Sequence, residues 1–271
     1  MSKQILKFKL ALFVFTLVFV TACQTTSDSS TKSIGSQGSP VKSGDYDKEK
    51  AAQVRLSAGL QYLQVGSLQN AKRHLDKALA LGASSGNVHF GIAYYYEKVK
   101  EFKKAERSYK KALRIESKNP DFLNGYGSFL CGQRQFKKAN KYFNKAIDQP
   151  IYPDIESAFM NAGVCAKQDG NHEKAASYFR KALNRNNKLP TALIEIAEEE
   201  FYKKRYKRAF SYIKRFEEVS RPSAGSLWLA LRVAHYQKDK DALASYAIKL
   251  EQMFPDSDET AEFLDNRDQW M

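Results

Sequence analysis

The chain has 271 residues, enough for one large domain or two small ones, and its 43% hydrophobic content excludes wholesale disorder. It contains only 7 prolines, which favours a mostly helical fold because an internal proline interrupts the helical hydrogen-bond ladder. The net charge of +14 would suit nucleic acid, an anionic membrane surface or an acidic protein. Composition alone therefore does not choose the partner.

The pattern of residues 1–22 predicts a secretory signal peptide. Three lysines and no acidic residue occupy the first nine positions, and an apolar run follows from Leu10 to Val20 with a single threonine. This run is about half as long as the roughly 20 residues that span a bilayer as a helix. The segment is therefore predicted to be a cleaved signal rather than a membrane span.

The apolar run ends in Val20-Thr21-Ala22-Cys23, which resembles the bacterial lipoprotein processing box. The resemblance implies cleavage before Cys23, followed by acylation of its thiol and its amine. More than one acyl chain gives stable anchoring, so outer-membrane lipid is an expected partner. Gln24 at the next position implies, by lipoprotein sorting, the inner leaflet of the outer membrane, facing the periplasm. The alternative is a core cysteine after an N-terminal helix.

Residues 23–45 are predicted to form the acylated cysteine and a flexible tether. From Gln24 onward this segment consists largely of Ser, Thr, Gly and Lys, and it has almost no apolar side chains with which to fold. Anchor and tether place the remaining domain, residues 46–268, in the periplasm. That address argues against nucleic acid as a partner, despite the positive charge.

Residues 46–268 contain an internal repeat of about 34 residues. Each repeat has an alanine followed four residues later by a large apolar residue, and these alanines are Ala71, Ala105, Ala139, Ala175 and Ala209. Their spacings are 34, 34, 36 and 34 residues. A small residue, called here the notch residue, lies twelve positions before each alanine: Gly59, Ala93, Gly127, Gly163 and Ala197.

This pattern resembles the tetratricopeptide repeat, in which small residues let two antiparallel helices approach and a large residue fills the gap. The resemblance implies an all-α superhelix of about six helix pairs, stacked because no pair can bury its apolar face alone. Gly66, Gly132 and Gly170 predict the turns within pairs. The sixth copy is degenerate and begins near Trp228, in a register that is open by about two residues. Residues 257–267 predict a short capping helix.

The first helices of such a superhelix line its concave wall. The residues three before, one after and four after each notch residue form one stripe on that wall. The stripe is apolar in the N-terminal repeats, where we predict a partner-binding groove of Leu56, Leu60, Leu63, Phe90, Tyr94 and Asn124. The groove would take an apolar segment of a partner. The alternative is that these side chains pack against one another inside a tight superhelix.

Basic residues recur at the start of the second helices, just before the leading alanines. They are Lys103, Lys104, Lys137, Lys138, Lys207 and Arg208. Such residues are typical of a solvated face. The alternative is an electrostatic contact with anionic headgroups, cell-wall polymer or an acidic partner, which would weaken with salt.

Two cysteines remain after Cys23, and they predict a disulfide. Cys131 lies four residues after its notch residue and Cys165 two residues after the next one, so they differ by about 200° on a helical wheel. Adjacent parallel helices would bring such positions face to face, and an oxidising periplasm favours the bond. The alternative is two buried thiols.

The chain shows no pattern typical of an enzyme. Its 4 histidines are scattered over different repeats, and no Gly-rich phosphate loop or nucleophile elbow is present. We therefore expect no catalysis, no cofactor, no metal and no small-molecule substrate.

The third and fourth repeats contain LNGYGSFLCGQRQFKKANKYFNKAI and IYPDIESAFMNAGVCAKQ, with a two-residue expansion at Tyr152-Pro153, and the sixth contains ASYAIKLEQMFPDS. Together with the lipoprotein signal, these segments resemble the pilotin lipoproteins of type IV pilus biogenesis. The resemblance implies binding of the pilus secretin subunit and help with its outer-membrane localisation and multimerisation. The alternative is a periplasmic repeat adaptor that scaffolds cell-wall enzymes.

Overall fold

A computed structural model describes residues 43–82 and 84–270, with side chains from residue 47 onward. The signal peptide, Cys23 and nearly all of the predicted tether lie outside the described residues. The first helix begins at Ser43, so the last three residues of the predicted tether, 43–45, are helical. Helix α1 therefore begins three residues before the predicted domain boundary at residue 46.

The described residues form fourteen helices and no strand. The helices are α1 Ser43–Gln64, α2 Leu68–Leu81, α3 Gly86–Lys98, α4 Phe102–Ile115, α5 Pro120–Gly132, α6 Phe136–Ile147, α7 Ile155–Gln168, α8 His172–Arg185, α9 Pro190–Tyr202, α10 Tyr206–Val219, α11 Ala224–Gln237, α12 Lys240–Met253, α13 Asp258–Asp265 and α14 Arg267–Trp270. None of these helices combines the length and the apolar character that crossing a membrane would require.

Helices α1 to α12 pack as six consecutive pairs, and each pair contacts the next. The first helix of a pair lies between neighbours, so it is buried on several sides, whereas the second is amphipathic. For example, α5 buries eight of its residues, whereas α4 buries only Ala105, Tyr109 and Ala112. The predicted all-α superhelix of about six helix pairs is confirmed. Helix α13 covers the end of the stack with a buried Phe263, as the predicted capping helix.

The notch residues are small because a large side chain of the paired helix packs against them. A Cβ at Gly59 would lie 2.8 Å from the Leu75 side chain, and one at Gly163 would lie 2.6 Å from the Phe179 ring. Real Cβ atoms do not approach other atoms this closely, so each pair requires one small and one large partner.

The sixth pair reverses this arrangement. Lys238 has a positive φ 34 residues after the equivalent Lys204, which fixes the register that the sequence left open. In this register Leu231 occupies the notch position and Ala247 occupies the position of the large residue, and both are buried in one cluster. The pair begins at Ala224, four residues before Trp228.

The turn inside each pair uses one residue in the left-handed region. These residues are Gly66, Lys100, Arg134, Gly170, Lys204 and Lys238. Gly66 and Gly170 therefore occupy the predicted turn positions. The prediction for Gly132 is wrong, because Gly132 is the last residue of α5 and Arg134 adopts the positive φ of 55°.

Candidate protein-binding surface

Half of the predicted N-terminal groove is buried. Leu56 and Leu63 belong to the apolar cluster of the first two pairs, where Leu56 packs onto the backbone of α3 at Gly91. A side chain at Gly91 would collide with Leu56, so this glycine permits close contact between α1 and α3. Leu56 and Leu63 therefore stabilise the stack and do not form an open groove.

The aromatic part of the predicted groove is partly enclosed. Phe90 lies against Gly125, with its ring 5.0 Å from that of Phe122 in a stacked arrangement. Tyr94 is only partly buried, and the Lys98 ammonium lies 5.1 Å from its ring centroid. With the partly exposed Leu60, Tyr94 forms the accessible remainder of the predicted groove.

Asn124 is a structural residue inside the stack. Its Nδ2 donates a 3.2 Å hydrogen bond to the hydroxyl of Tyr152, and its Oδ1 accepts a 3.0 Å bond from Asn161. Burial raises the pKa of Tyr152 and keeps that hydroxyl protonated. The network connects α5, the expanded loop at residues 148–154 and α7. Asn124 is therefore buried in the core and unavailable to a partner.

Two positions of each first helix remain accessible along the stack. The residue after the notch is at least partly exposed in every pair: Leu60, Tyr94, Ser128, Val164, Glu198 and Arg232. Four residues further on, exposure increases, and Tyr202 is 66% exposed. The first of these positions changes from apolar at α1 and α3 to charged at α9 and α11, so the two ends of the wall suit different side chains. The second position is Gln64 or Lys98 at one end and Tyr202 or Tyr236 at the other.

A cavity of about 720 Å³ opens between α7, α8 and α9. Its apolar lining includes Ala175, Ala176 and Phe179. On its rim, the Lys167 ammonium lies 2.7 Å from Glu195 and 3.0 Å from Glu198. Burial lowers the pKa of Lys167, but the hydrogen bonds to the two carboxylates outweigh this effect and raise it overall.

The three consecutive glutamates of α9 form ion pairs with neighbouring segments. Glu198 pairs with Lys167 of α7, and Glu199 pairs with Arg180 of α8. Glu200 is buried, with Arg180 at 3.4 Å and Arg205 at 3.6 Å. The sequence pattern did not identify these cross-helix pairs. Lys167 and Glu198 occupy stripe positions on successive first helices, which is the signal that could have revealed them.

The structure joins Cys131 and Cys165 in a disulfide. Their Cα atoms are 5.8 Å apart, and the bond connects α5 with α7, the first helices of the third and fourth pairs. Within residues 43–82 and 84–270, no group of three or more His, Cys, Asp or Glu side chains could hold a metal ion. The described surface therefore offers apolar patches, aromatic rings and charges, which are the groups used in protein recognition.

Two tetratricopeptide models match overlapping parts of the chain. The C-terminal tetratricopeptide repeats of YpiA-like proteins match residues 87–153, and a general tetratricopeptide repeat matches residues 130–190. These matches extend from α3 to the end of α8 and agree with the pairing of helices described above.

Comparison with known proteins extends the match to nearly the whole chain. The type IV pilus assembly protein PilF of Pseudomonas aeruginosa is 32% identical over 254 residues, which are 93% of this chain and 97% of that protein. The chain belongs to the PilF family. The solved structure of Pseudomonas aeruginosa PilF matches with a TM-score of 0.75, covering 81% of this chain and 99% of that one.

A second solved structure supports the PilF-family assignment. PilW, a widely conserved type IV pilus biogenesis factor, matches with a TM-score of 0.68 and 26% identity. The match covers 79% of this chain and 98% of PilW. The resemblance to tetratricopeptide proteins of type IV pilus biogenesis is therefore confirmed.

Proposed function

We propose that this chain acts in type IV pilus assembly as a lipoprotein of the outer membrane that binds the pilus secretin. It promotes the outer-membrane localisation of that subunit and its multimerisation. The observation that supports this function most strongly is the 32% identity to a type IV pilus assembly protein over 93% of the chain. A stack of helix pairs is also the kind of scaffold that offers extended surfaces to protein partners.

The proposed anchor is Cys23, supported by the processing box that precedes it. Processing there would remove three lysines and leave a net charge of +11. About 20 residues separate Cys23 from α1. The helix pairs would then work in the periplasm close to the membrane surface.

The proposed contact surface for the secretin is the accessible N-terminal part of the first-helix stripe. Leu60 and Tyr94 are its partly exposed apolar members. A glutamate at either position would place a charge where an apolar segment of the partner would pack, and burial of an unpaired charge is costly. The double substitution Leu60→Glu and Tyr94→Glu therefore tests the surface without removing a buried residue.

The experiment compares the secretin in membrane fractions of wild-type and deletion strains, as heat-resistant multimer and as monomer. We expect multimers to be lost on deletion and to return with the wild-type gene, but not with Cys23→Ser or with the Leu60 and Tyr94 double variant. The matched control is Ile248→Glu with Met253→Glu, two exposed apolar residues of α12, which should restore multimers.

Normal multimers in the deletion strain, with altered cell shape or septation, would contradict the secretin function and favour the cell-wall adaptor. Restoration of multimers by Cys23→Ser would contradict the proposed acyl anchor but not the secretin function. Restoration by the double variant would contradict the proposed contact surface and leave the other two statements intact.

A further inference from the structure

One edge of the helix stack is strongly basic. The turns inside the second, third and fifth pairs, at residues 98–104, 132–138 and 202–208, contain twelve lysines and arginines and a single acidic residue, Glu101. We call these three segments the basic edge. The connections between pairs, at residues 116–119, 148–154, 186–189 and 220–223, contain three basic and three acidic residues. Positive charge is therefore concentrated at one end of the second, third and fifth pairs.

These turns lie on the same side of the stack because successive pairs pack in the same orientation. Tyr206, which begins the helix after the fifth turn, stacks on Tyr236, which precedes the sixth turn. Their ring centroids are 4.9 Å apart and the rings are inclined by only 7°. The turns of the fifth and sixth pairs are thus in direct contact. The fourth turn, at residues 168–174, carries Asp169, Glu173 and Lys174 and lies between the third and fifth turns.

The charges of the basic edge are largely unpaired. Lys204, Lys207 and Arg208 are exposed and form no ion pair with any residue in the described part of the chain. Three of the twelve basic residues have a carboxylate nearby. Lys104 lies 3.4 Å from Glu101, Lys203 lies 2.6 Å from Glu199 and Arg205 lies 3.6 Å from Glu200. The basic residue Lys167, by contrast, is held between two glutamates on the concave wall. The edge therefore presents positive charge that the protein itself does not neutralise.

A cavity of about 520 Å³ lies at the fifth turn of this edge. It is lined by Lys204, Arg205, Tyr206, Lys207, Arg208, Tyr236 and Gln237. The Gln237 Nε2 is buried and has no hydrogen-bond partner among residues 43–82 and 84–270. Lysine and arginine side chains, together with an amide donor and tyrosine hydroxyls, are the groups that bind phosphate oxygens. Tyrosines are also enriched where proteins meet the polar surface of a membrane.

We propose that the basic edge binds the surface of an anionic phospholipid bilayer, with a headgroup phosphate in the cavity between the α9–α10 turn and α11. A single phosphate would occupy only the cavity, whereas the second and third turns, beyond the fourth turn with its Asp169 and Glu173, carry seven further basic residues. A bilayer presents phosphates across that whole length, and each basic residue near such a surface adds to the attraction. The proposal uses the acyl anchor of the proposed function only to keep the chain near the membrane.

The test uses the mature chain from residue 23 with Cys23→Ser, so that no acyl chain contributes to binding. Flotation with phosphatidylcholine vesicles, with and without phosphatidylglycerol, should show binding only to the anionic vesicles, and this binding should weaken steeply with salt. Substituting Lys204, Lys207 and Arg208 by glutamine should weaken it on the order of a hundredfold. The matched control substitutes Lys118, Lys188 and Arg221, on the opposite edge, by glutamine and should change it little.

Circular dichroism and thermal unfolding of both triple variants check that their fold is unchanged. Equal losses in both variants would overturn the proposal, because net charge rather than the edge would then control binding. Displacement of the chain from vesicles by low concentrations of inorganic phosphate would assign the cavity to a free anion instead. Absence of vesicle binding together with binding of polyglutamate would assign the edge to an acidic polypeptide. None of these outcomes depends on the secretin.

Discussion

At the scale of single residues, close contact between helices depends on glycines, because they have no side chain to keep the neighbouring helix away. Gly163 shows this most clearly, because the Phe179 ring occupies the space where its Cβ would lie, 2.6 Å away. Gly91 and Gly125 allow the same close approach between first helices, where Leu56 and Phe90 pack against them. Each of these glycines sets the separation of two helix axes.

We therefore predict that Gly163→Ala destabilises the protein by about 1–3 kcal/mol, the usual cost of forcing extra volume into a packed core. The control is Gly132→Ala, since a Cβ at Gly132 would have no neighbour within 4 Å and its backbone is helical. Alanine there should stabilise by about 0.4–1 kcal/mol through the unfolded state. Urea unfolding of both variants measures the difference, and equal effects would contradict the packing argument.

At the scale of the turns, four of the six pairs hold a lysine or arginine in a conformation that suits glycine. Lys100 has a φ of 61°, where the Cβ of an L-residue crowds the following carbonyl oxygen. The fourth pair has glycine at the same position, Gly170. The basic side chains are therefore kept at a cost in local backbone energy, which is consistent with a use for charge at that edge.

Replacing Lys100 with glycine should raise the free energy of unfolding by about 0.5–1 kcal/mol, because the steric cost of the left-handed backbone is removed. Lys103→Gly, three residues later inside the first turn of α4, should instead lower it by about 0.5–1 kcal/mol. Thermal or urea unfolding of the two single variants distinguishes these signs. Destabilisation of similar size in both would show that the backbone conformation of Lys100 is not strained.

The helix pairs could be predicted from the sequence because each depends on local spacing: a small residue, a large residue sixteen positions later and a turn between them. The accessible part of the groove could not be predicted in the same way. Burial of Leu56 depends on how closely α1 approaches α3, which is a property of the superhelix rather than of one repeat. Gly91, two residues before a notch residue, was the available signal.

The burial of Asn124 and the ion pairs of the glutamates in α9 could not be predicted for the same reason, because both depend on contacts between separate helices. A wheel projection places Asn124 on the concave stripe, but its partners Tyr152 and Asn161 come from later segments of the chain. The Tyr152 segment owes its position to the two-residue expansion between the third and fourth repeats. Likewise Glu200 is buried beside Arg180 and Arg205, which no spacing within α9 indicates.

At the scale of the whole molecule, the disulfide connects the third and fourth pairs near the middle of the stack. It closes a segment across a sequence separation of 34 residues, and a loop of that size stabilises by about 3–4 kcal/mol in the chain-entropy description. Repeat stacks unfold through loss of contacts between neighbours. A covalent bond between two central neighbours therefore opposes separation of the stack at that interface.

We predict that reduction lowers the urea midpoint of the wild-type protein by an amount corresponding to about 3 kcal/mol. The same reductant should have no effect on Cys131→Ser, which lacks the bond. Alkylation of the unreduced mature protein, from which Cys23 has been removed by Cys23→Ser, should label no thiol. Two labelled thiols, or identical midpoints with and without reductant in the wild-type protein, would contradict the bond.

In the sixth pair the small and the large residue have exchanged places, so this pair differs from the other five. Combining α11 with a second helix from an earlier pair would set Leu231 against a residue such as Ile213, two large side chains in one place. Combining α9 with α12 would set Ala197 against Ala247 and leave a void, which packed interiors do not tolerate. The two helices of the last unit must therefore be kept together. A longer stack made by duplication would therefore have to leave this terminal unit undivided.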